Sequence, residues 1–207
     1  LGHSQAGVRR QALRFAERWL IDDPAMLSRV LALASDTEPL VRLQLSLSLG
    51  ETGDSRALTV LADLCRKHGD EKWMTTAILS AVPSRGGDLL SELLRLPNEL
   101  GQAQTMLEPL CMAIANRREP TELSKAIDRI ADLDDRRLQV FCMRGVRASL
   151  KRPVAMALTD SASNAIKRLA KSSDEALRSQ ALSLIQLLSL EAAVERNARL
   201  EISKRQL

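Results

Sequence analysis

The chain has 207 residues, a net charge of +4 and a pI of about 9.3, enough length for one or two domains with a substantial core. Hydrophobic residues make up 45% of it, yet only 2% are aromatic and tyrosine is absent, which favours a helical protein because strands draw on aromatic and β-branched residues. No apolar run approaches the ~20 residues that a membrane-spanning helix needs, and the small basic excess does not by itself indicate nucleic acid. We therefore predict an all-α protein.

The first predicted helix covers residues 5–21 and carries an apolar row on one face. The row consists of Val8, Ala12, Phe15, Ala16 and Trp19. We predict that this row faces the core and that Trp19 is buried. On the opposite side lies a basic stripe of Arg10, Arg14 and Arg18. A turn at residues 22–24 then leads into a second helix over residues 24–35.

Residues 36–50 alternate apolar and polar side chains, which taken alone is typical of a half-buried strand. We predict a helix instead, because four of the five apolar residues are leucine, a good helix former. Asp36 can serve as the N-cap, Pro39 falls in the first turn, and Gly50 stands where a left-handed C-cap belongs. The apolar residues fall on two flanks of this helix, Val41, Leu45 and Leu49 on one and Leu43 and Leu47 on the other. We therefore expect neighbours on both sides, as for an inner helix of a stack.

The remaining segments continue the alternation of inner and outer helices. Asp54 caps a helix that ends before Gly69, and a short inner helix over residues 71–81 is expected to bury Trp73. Further helices are predicted over residues 88–96, 100–116, 121–131, 138–150 and 160–171, with Pro109 kinking the second of these. The last pair ends near residue 190, and residues 191–207 are predicted to form an outer or capping helix.

An internal repeat relates the inner helices at intervals of 32 to 39 residues. Its markers are the dipeptides Val8-Arg9, Val41-Arg42, Trp73-Met74, Met106-Leu107, Leu138-Gln139 and Leu177-Arg178. Each interval has room for one further helix, so each unit is a helical hairpin. The sequence thus predicts an α-solenoid of about six hairpins, forming a single domain over residues 1–207.

The residues around the second copy carry a family resemblance. Asp36-x-x-Pro39-x-Val41-Arg42, followed by Gly53-Asp54 and an apolar helix, resembles the HEAT repeat, and a shorter version begins at Asp174. The resemblance implies a structural ladder in which arginines pair with acidic residues of the inter-repeat turns; its members here are Arg9, Arg42, Arg178, Asp36 and Asp174. Ligand-binding arginines are the alternative interpretation. Met74, Leu107 and Gln139 replace the arginine in the middle copies, so the ladder is expected to be interrupted there.

Residues 41–82 are similar, more specifically, to the HEAT segment of planctomycete-type membrane-bound dehydrogenases, which are c-type haem-binding multidomain proteins. This resemblance implies a sugar-dehydrogenase-like β-propeller and a cytochrome elsewhere in the full protein, and a periplasmic or cell-envelope location. The chain contains no Cys-x-x-Cys-His motif, so no haem chemistry is assigned to it. Because it starts at Leu1 without methionine or a signal-peptide pattern, we expect it to be a piece of a longer protein.

Candidate sites are few. Cys65, Cys111 and Cys142 are interpreted as buried thiols, since their spacing supports neither a disulfide nor a metal site. A second basic stripe consists of Arg137, Arg144, Arg147 and Lys151. Both stripes are either solvated helix faces or a possible binding surface. Helix 100–116 lies between them without a basic residue, so a continuous phosphate-binding track is not expected.

We therefore predict a non-catalytic scaffold for protein or interdomain interactions, with no catalytic, cofactor-binding or metal-binding residue and no cofactor. Its expected partners are proteins or neighbouring domains of the same chain, with nucleic acid unlikely on these grounds. The alternative is a nucleic-acid-binding helical-repeat protein, because alkylpurine DNA glycosylases are built from similar repeats.

Overall fold

A computed structural model describes residues 1–154 and 156–188 of the chain. Within this part there are eleven α-helices and no strand, which confirms the predicted all-α class. They are α1 (Ala6–Ala16), α2 (Pro24–Leu31), α3 (Pro39–Ser48), α4 (Ser55–His68), α5 (Met74–Ala81), α6 (Gly86–Leu94), α7 (Leu107–Asn116), α8 (Pro120–Ala131), α9 (Arg136–Ser149), α10 (Asp160–Leu169) and α11 (Glu175–Leu187).

The chain separates into two compact units, and the first is Leu1–Met106. It contains three helical hairpins, α1–α2, α3–α4 and α5–α6. The inner helices pack in the order α1, α3, α5 and the outer helices in the order α2, α4, α6. This parallel stacking of successive hairpins is the arrangement of an α-solenoid, as predicted.

The second unit begins at Leu107. Its described helices repeat the same scheme, with α7, α9 and α11 packed in sequence on one layer and α8 against α10 on the other. The capping helix predicted over residues 191–207 lies outside the described residues. The single domain predicted over residues 1–207 stays a prediction.

The ends of α3 differ from the prediction. Glu38, rather than Asp36, holds the N-cap position, and Asp36 instead accepts a hydrogen bond from the Glu38 N–H at 3.0 Å. Gly50 is not left-handed; it lies in a 3₁₀ turn, Leu49–Glu51, that continues the helix. A Cβ added at Gly50 would stand 2.9 Å from Ala81 Cα, so glycine is required there by the close approach of the end of α5.

The prediction that a second apolar flank of α3 packs against a neighbour is also wrong. Val41, Leu45 and Leu49 are buried as expected, but Leu43 is only half-buried and Leu47 is 42% exposed. The alternating pattern was therefore correctly assigned to a helix, but only one of its two leucine rows contacts the core.

Two buried serines, Ser46 and Ser48, lie on either side of the apolar row of α3. Ser46 Oγ donates to the Arg42 carbonyl at 3.1 Å and lies 3.2 Å from Met74 Sδ on α5. On the other side, Ser48 Oγ donates to the Glu17 carboxylate beyond α1 at 2.7 Å. The small serines let α3 approach both neighbours while their hydroxyls remain hydrogen-bonded.

The kink predicted at Pro109 is not formed. Residues Gly101–Met106 are a 3₁₀ segment, and α7 begins only at Leu107, so Pro109 falls in the first helical turn. Proline is tolerated at that place, because the first N–H groups of a helix have no intrahelical acceptor.

Candidate binding surface and the ion-pair ladder

An ion pair connects the first two hairpins. Arg9 donates from Nε to Asp36 Oδ2 at 2.6 Å and from Nη2 to Asp36 Oδ1 at 2.7 Å, a bidentate geometry. The hydrogen bond from Arg9 is the largest cause that lowers the pKa of Asp36 below its usual range. Asp36 precedes α3, so the pair fixes the start of one inner helix to the preceding one.

A second ion pair continues the connection. Arg42, which is only 6% exposed, donates through Nη1 to the Asp36 carbonyl at 2.6 Å and through Nη2 to the Glu71 carboxylate. His68 Nδ1 lies 2.9 Å from the same Glu71 oxygen. We call this connected set the ion-pair ladder, and its members are Arg9, Asp36, Arg42, Glu71 and His68.

At four of the six repeat positions, the side chain also bonds the loop before its own helix. The guanidinium of Arg9, Arg42 or Arg178 donates to the carbonyl six residues earlier, at 2.9, 2.6 and 2.9 Å. Gln139 makes the same contact, donating to the Leu133 carbonyl at 2.9 Å. The expected interruption at Gln139 therefore concerns the charge pair, while the carbonyl contact is retained.

Asp174 does not form the ladder ion pair that the resemblance implies. Its carboxylate accepts from the Leu177 N–H at 2.8 Å and caps α11, while Arg178 donates to the Ser172 carbonyl. The residue at the place corresponding to Asp36 is Ser172, six residues before the arginine, which the sequence spacing alone could have indicated.

The aromatic residues predicted to lie in the core of the first unit are on its surface. Phe15 is 62% exposed, Trp19 44% and Trp73 62%, so both tryptophan predictions are wrong. In α1 and the turn after it, the buried residues are Leu13, Ala16 and Leu20, and of these only Ala16 belongs to the predicted row. Most of that row therefore lies outside the core, because this segment contacts the other helices through the neighbouring stripe of Leu13, Ala16 and Leu20.

Trp73 is exposed for a backbone reason. Its φ of 70° places it in the left-handed region immediately before α5, a conformation uncommon for any bulky residue. Lys72 Nζ lies 5.5 Å from the centre of its ring. Sequence periodicity places Trp73 on the helix, but the helix begins one residue later, and the turn carries the side chain outwards.

A cavity of about 650 Å³ opens between α1 and α2, and we call it the α1–α2 groove. Its lining residues are Leu1, Gly2, Ala12, Phe15, Ala16, Trp19, Met26, Arg29, Ala32 and Leu33. Arg29 is the only charged side chain among them. Arg18, outside this lining, stacks over Trp19 with its guanidinium carbon 5.0 Å from the ring centroid.

Only some side chains of the predicted basic stripes are free to contact a ligand. Arg14, Arg18, Arg137, Arg147 and Lys151 are exposed, and Arg10 is half-buried. Arg144 is exposed as well, but its guanidinium donates to Glu108 with Nε 2.8 Å from Oε2 and stacks on Phe141 at 5.1 Å. The ion pair compensates the charge at the middle of the second stripe, which removes one phosphate contact from that side.

A second cavity of about 590 Å³ lies beside the ion-pair ladder. Its charged lining residues are Asp36, Arg42, Asp63, Lys67 and His68. Asp36 forms an ion pair with Arg9, and Asp63 forms one with Arg66 at an N···O distance of 3.1 Å. The cavity therefore contains charges of both signs that are largely paired.

The three cysteines are free and buried, which confirms their prediction as buried thiols. Burial raises the pKa of Cys65 to about 12, and its Sγ lies 3.0 Å from Met106 Sδ. Cys111 and Cys142 form a thiol pair between α7 and α9, and their hydrogen bond, together with burial, raises the pKa of Cys111 well above its usual value. The proximity of these two thiols was not predicted.

Within the described ranges, no group of three His, Cys, Asp or Glu side chains is arranged to hold a metal ion. Over the same residues, no helix combines the length and the apolarity needed to cross a bilayer.

A family model matches part of the chain. The model of the family described as HEAT repeats matches residues 1–81, which span α1 to α5. The match supports the HEAT assignment for the region that carries the ion-pair ladder. No curated protein and no solved structure matches the chain.

Proposed function

We propose that this chain is a non-catalytic scaffold that binds other proteins. The observation that carries the proposal is the exposure of Phe15, Trp19 and Trp73 in a chain with only two tryptophans and two phenylalanines. Large aromatic side chains with adjacent cations are enriched at protein interfaces and dominate their binding energy. Residues 1–81 match the HEAT-repeat model, and stacked repeats form extended binding surfaces, which is consistent with this role.

Site-specific photo-crosslinking tests the proposal. In the source cell, p-benzoylphenylalanine replaces Phe15 or Trp73 in the full-length protein, and Thr59 or Lys125, exposed on outer helices, as controls. Adducts with other proteins are expected from positions 15 and 73 and not from the controls. Adducts from neither, or equal labelling at all four positions, would refute a binding role for the exposed aromatic residues.

We further propose that the scaffold connects domains of a larger dehydrogenase-like protein in the periplasm or cell envelope. The similarity of residues 41–82 to the HEAT segment of planctomycete-type membrane-bound dehydrogenases supports this context. The full reading frame tests it. A β-propeller before this region and a Cys-x-x-Cys-His cytochrome after it are expected, and a reading frame of about this length alone would overturn the context but not the scaffold role.

A further inference from the structure

The internal repeat shows which neighbour Cys111 faces. Cys111 follows the marker dipeptide Met106-Leu107 as Ser46 follows Val41-Arg42, five residues after its first member. Ser46 is fully buried, and its hydroxyl lies 3.2 Å from Met74 Sδ on α5, the next inner helix of the stack. The corresponding neighbour of α7 is α9, and Cys111 is buried to the same degree. Cys111 therefore points into the interface between α7 and α9.

The backbones of α7 and α9 approach closely at this interface. A Cβ added at Gly145 of α9 would lie 2.9 Å from Cys111 Cβ and would collide with the Glu108 carbonyl oxygen. Cys142 lies one turn before Gly145 and is also fully buried, and its thiol and that of Cys111 form a hydrogen bond. A disulfide requires the two Cα atoms to lie within about 7 Å, so it can form between helices only at a close contact of this kind.

Cys65 provides an internal contrast. It is as deeply buried as the other two cysteines, but its Sγ lies 3.0 Å from a thioether, Met106 Sδ, rather than from a thiol. A thioether sulfur carries no hydrogen and cannot become a disulfide partner. All three cysteines belong to the described residues, and the structure brings only Cys111 and Cys142 together as thiols.

We propose that Cys111 and Cys142 form a disulfide between α7 and α9 when the protein meets a disulfide oxidant, R–S–S–R, such as oxidised glutathione. One cysteine thiolate attacks a sulfur atom of the oxidant, which gives a mixed disulfide and releases one thiolate of the oxidant. The other cysteine attacks the protein sulfur of the mixed disulfide, which completes the bond and releases the second thiolate. The protein loses two electrons to the oxidant, and the two thiol protons end on two R–SH molecules.

The native packing favours this disulfide but slows its formation. The hydrogen bond with Cys142 and burial raise the pKa of Cys111, so the reactive thiolate is scarce while the interface is closed. Exchange therefore takes place during folding or when α7 and α9 separate. The bond joins consecutive hairpins where Leu107 and Gln139 replace the ladder arginines. This inference is independent of the proposed scaffold function, because it concerns how two helices of one unit are joined.

Refolding in a glutathione redox buffer tests the pairing without requiring access to the closed interface. The full chain is unfolded in urea under reducing conditions, freed of reductant and refolded with reduced and oxidised glutathione. After acid quenching, free thiols are blocked with N-ethylmaleimide in denaturant, and linked peptides are identified by mass spectrometry. We expect one disulfide, Cys111–Cys142, and one maleimide, on Cys65. Three free thiols, a disulfide that includes Cys65, or glutathione adducts as the main product would overturn the inference.

The same equilibration in concentrated urea is the control for chain proximity. Cys142 follows Cys111 by 31 residues, whereas Cys65 lies 46 residues before Cys111 and 77 before Cys142. Because loop closure weakens with about the 3/2 power of length, the unfolded chain should favour the 111–142 pair only about twofold over 65–111 and about fourfold over 65–142. Refolded protein should favour it at least about tenfold more strongly than this. The same distribution of disulfides in both conditions would mean that sequence distance alone selects the pair, which refutes the native contact as its cause.

The stability of the oxidised protein gives a second measurement. Folding and oxidation form one thermodynamic cycle, so a disulfide that the native fold favours must raise the equilibrium constant for folding by the same factor, at least about tenfold. Urea titrations of oxidised and reduced protein, followed by circular dichroism, measure it. Cys65→Ser should retain this gain, and Cys142→Ser should show no difference between oxidising and reducing conditions. A disulfide that weakens folding would show that α7 and α9 must separate to form it, which overturns the inference whether or not Cys142→Ser folds.

Discussion

The inner helices are connected differently in the two units. In the first unit, α1, α3 and α5 are linked by the ion pairs Arg9–Asp36 and Arg42–Glu71. In the second unit, α7 and α9 touch through the thiols of Cys111 and Cys142 and through Gly145. Their ion pair, Arg144–Glu108, lies at the surface, whereas the side chains of Arg9, Asp36 and Arg42 are largely buried. The buried contacts between inner helices thus include ion pairs in the first unit and are thiols and a glycine in the second. The period and the contact to the carbonyl six residues earlier are common to both units, so the repeat fixes the arrangement and leaves the rest of the interface chemistry free.

The largest expected effect comes from breaking the charged interface. Arg42→Met leaves the Glu71 carboxylate and the Asp36 carbonyl without their buried donor, and it should lower the free energy of unfolding by about 3 kcal/mol. Chemical denaturation followed by circular dichroism measures it. Arg56→Met is the control, because its ion pair with Asp54 is solvent-exposed, and it should change stability little. Equal effects of the two substitutions would contradict a structural role for the ion-pair ladder.

The close apolar interface is broken by adding a single methyl group. A Cβ at Gly145 would collide with the Glu108 carbonyl and lie 2.9 Å from Cys111 Cβ. Gly145→Ala should destabilise the second unit by about 1–3 kcal/mol, although alanine is the better helix former. Gly7→Ala in α1 meets no atom within 4 Å, so it should be neutral or stabilising by up to ~1 kcal/mol. A stabilising Gly145→Ala would disprove the tight α7–α9 contact.

The sequence was most informative where local chemistry decides the outcome. Residues 36–50 alternate like a strand, yet leucine content and Pro39 correctly indicated α3, and the dipeptide period located every described inner helix. The helical assignment of α3 depends on backbone preferences within a few residues, and the period is read from the sequence directly. Neither requires knowledge of the neighbouring helices.

Exposure could not be predicted in the same way. Trp19 and Leu47 lie on apolar rows of their helices, but a row is buried only if another helix packs on it, and neither row is fully covered. Trp73 is exposed because its backbone is left-handed. The residue type does not predict this conformation, since it is uncommon for bulky residues. Which side chains form the candidate surface therefore depends on how the neighbouring helices pack. The contact from each arginine to the carbonyl six residues earlier could have been recognised from the sequence spacing alone.

Gln139 offers a way to sharpen the comparison between the units. Its side-chain amide donates to the carbonyls of Ile130, Ala131 and Leu133 in the second unit. Gln139→Leu should cost about 1–2 kcal/mol, because buried carbonyls lose their donor. Gln44→Leu on α3 is the control, since Gln44 is half-buried and bonds side chains rather than backbone carbonyls, and it should cost less. Denaturation midpoints compare the two. If both variants lose equally, the carbonyl contact does not account for the role of Gln139.

The smallest expected effect is a change in the acid sensitivity of the first unit. Arg9 lowers the pKa of Asp36 in the folded state, so the pair contributes stability above the ordinary unfolded pKa of about 3.9 and loses it as pH falls through the lower folded value. Below that range the carboxyl is protonated in both states and contributes nothing. Asp36→Asn removes this titration, so the variant should be less stable than the natural chain near neutral pH, and the difference should shrink below about pH 4.

Asp54 also has a lowered pKa, held mainly by Arg56, and Asp54→Asn controls for acid effects outside the inter-hairpin contact. The measurement is thermal unfolding across pH 2 to 7 for all three proteins. A stability difference for Asp36→Asn that stays constant with pH would show that the side chain acts through geometry, by bonding the Glu38 N–H, rather than through its charge.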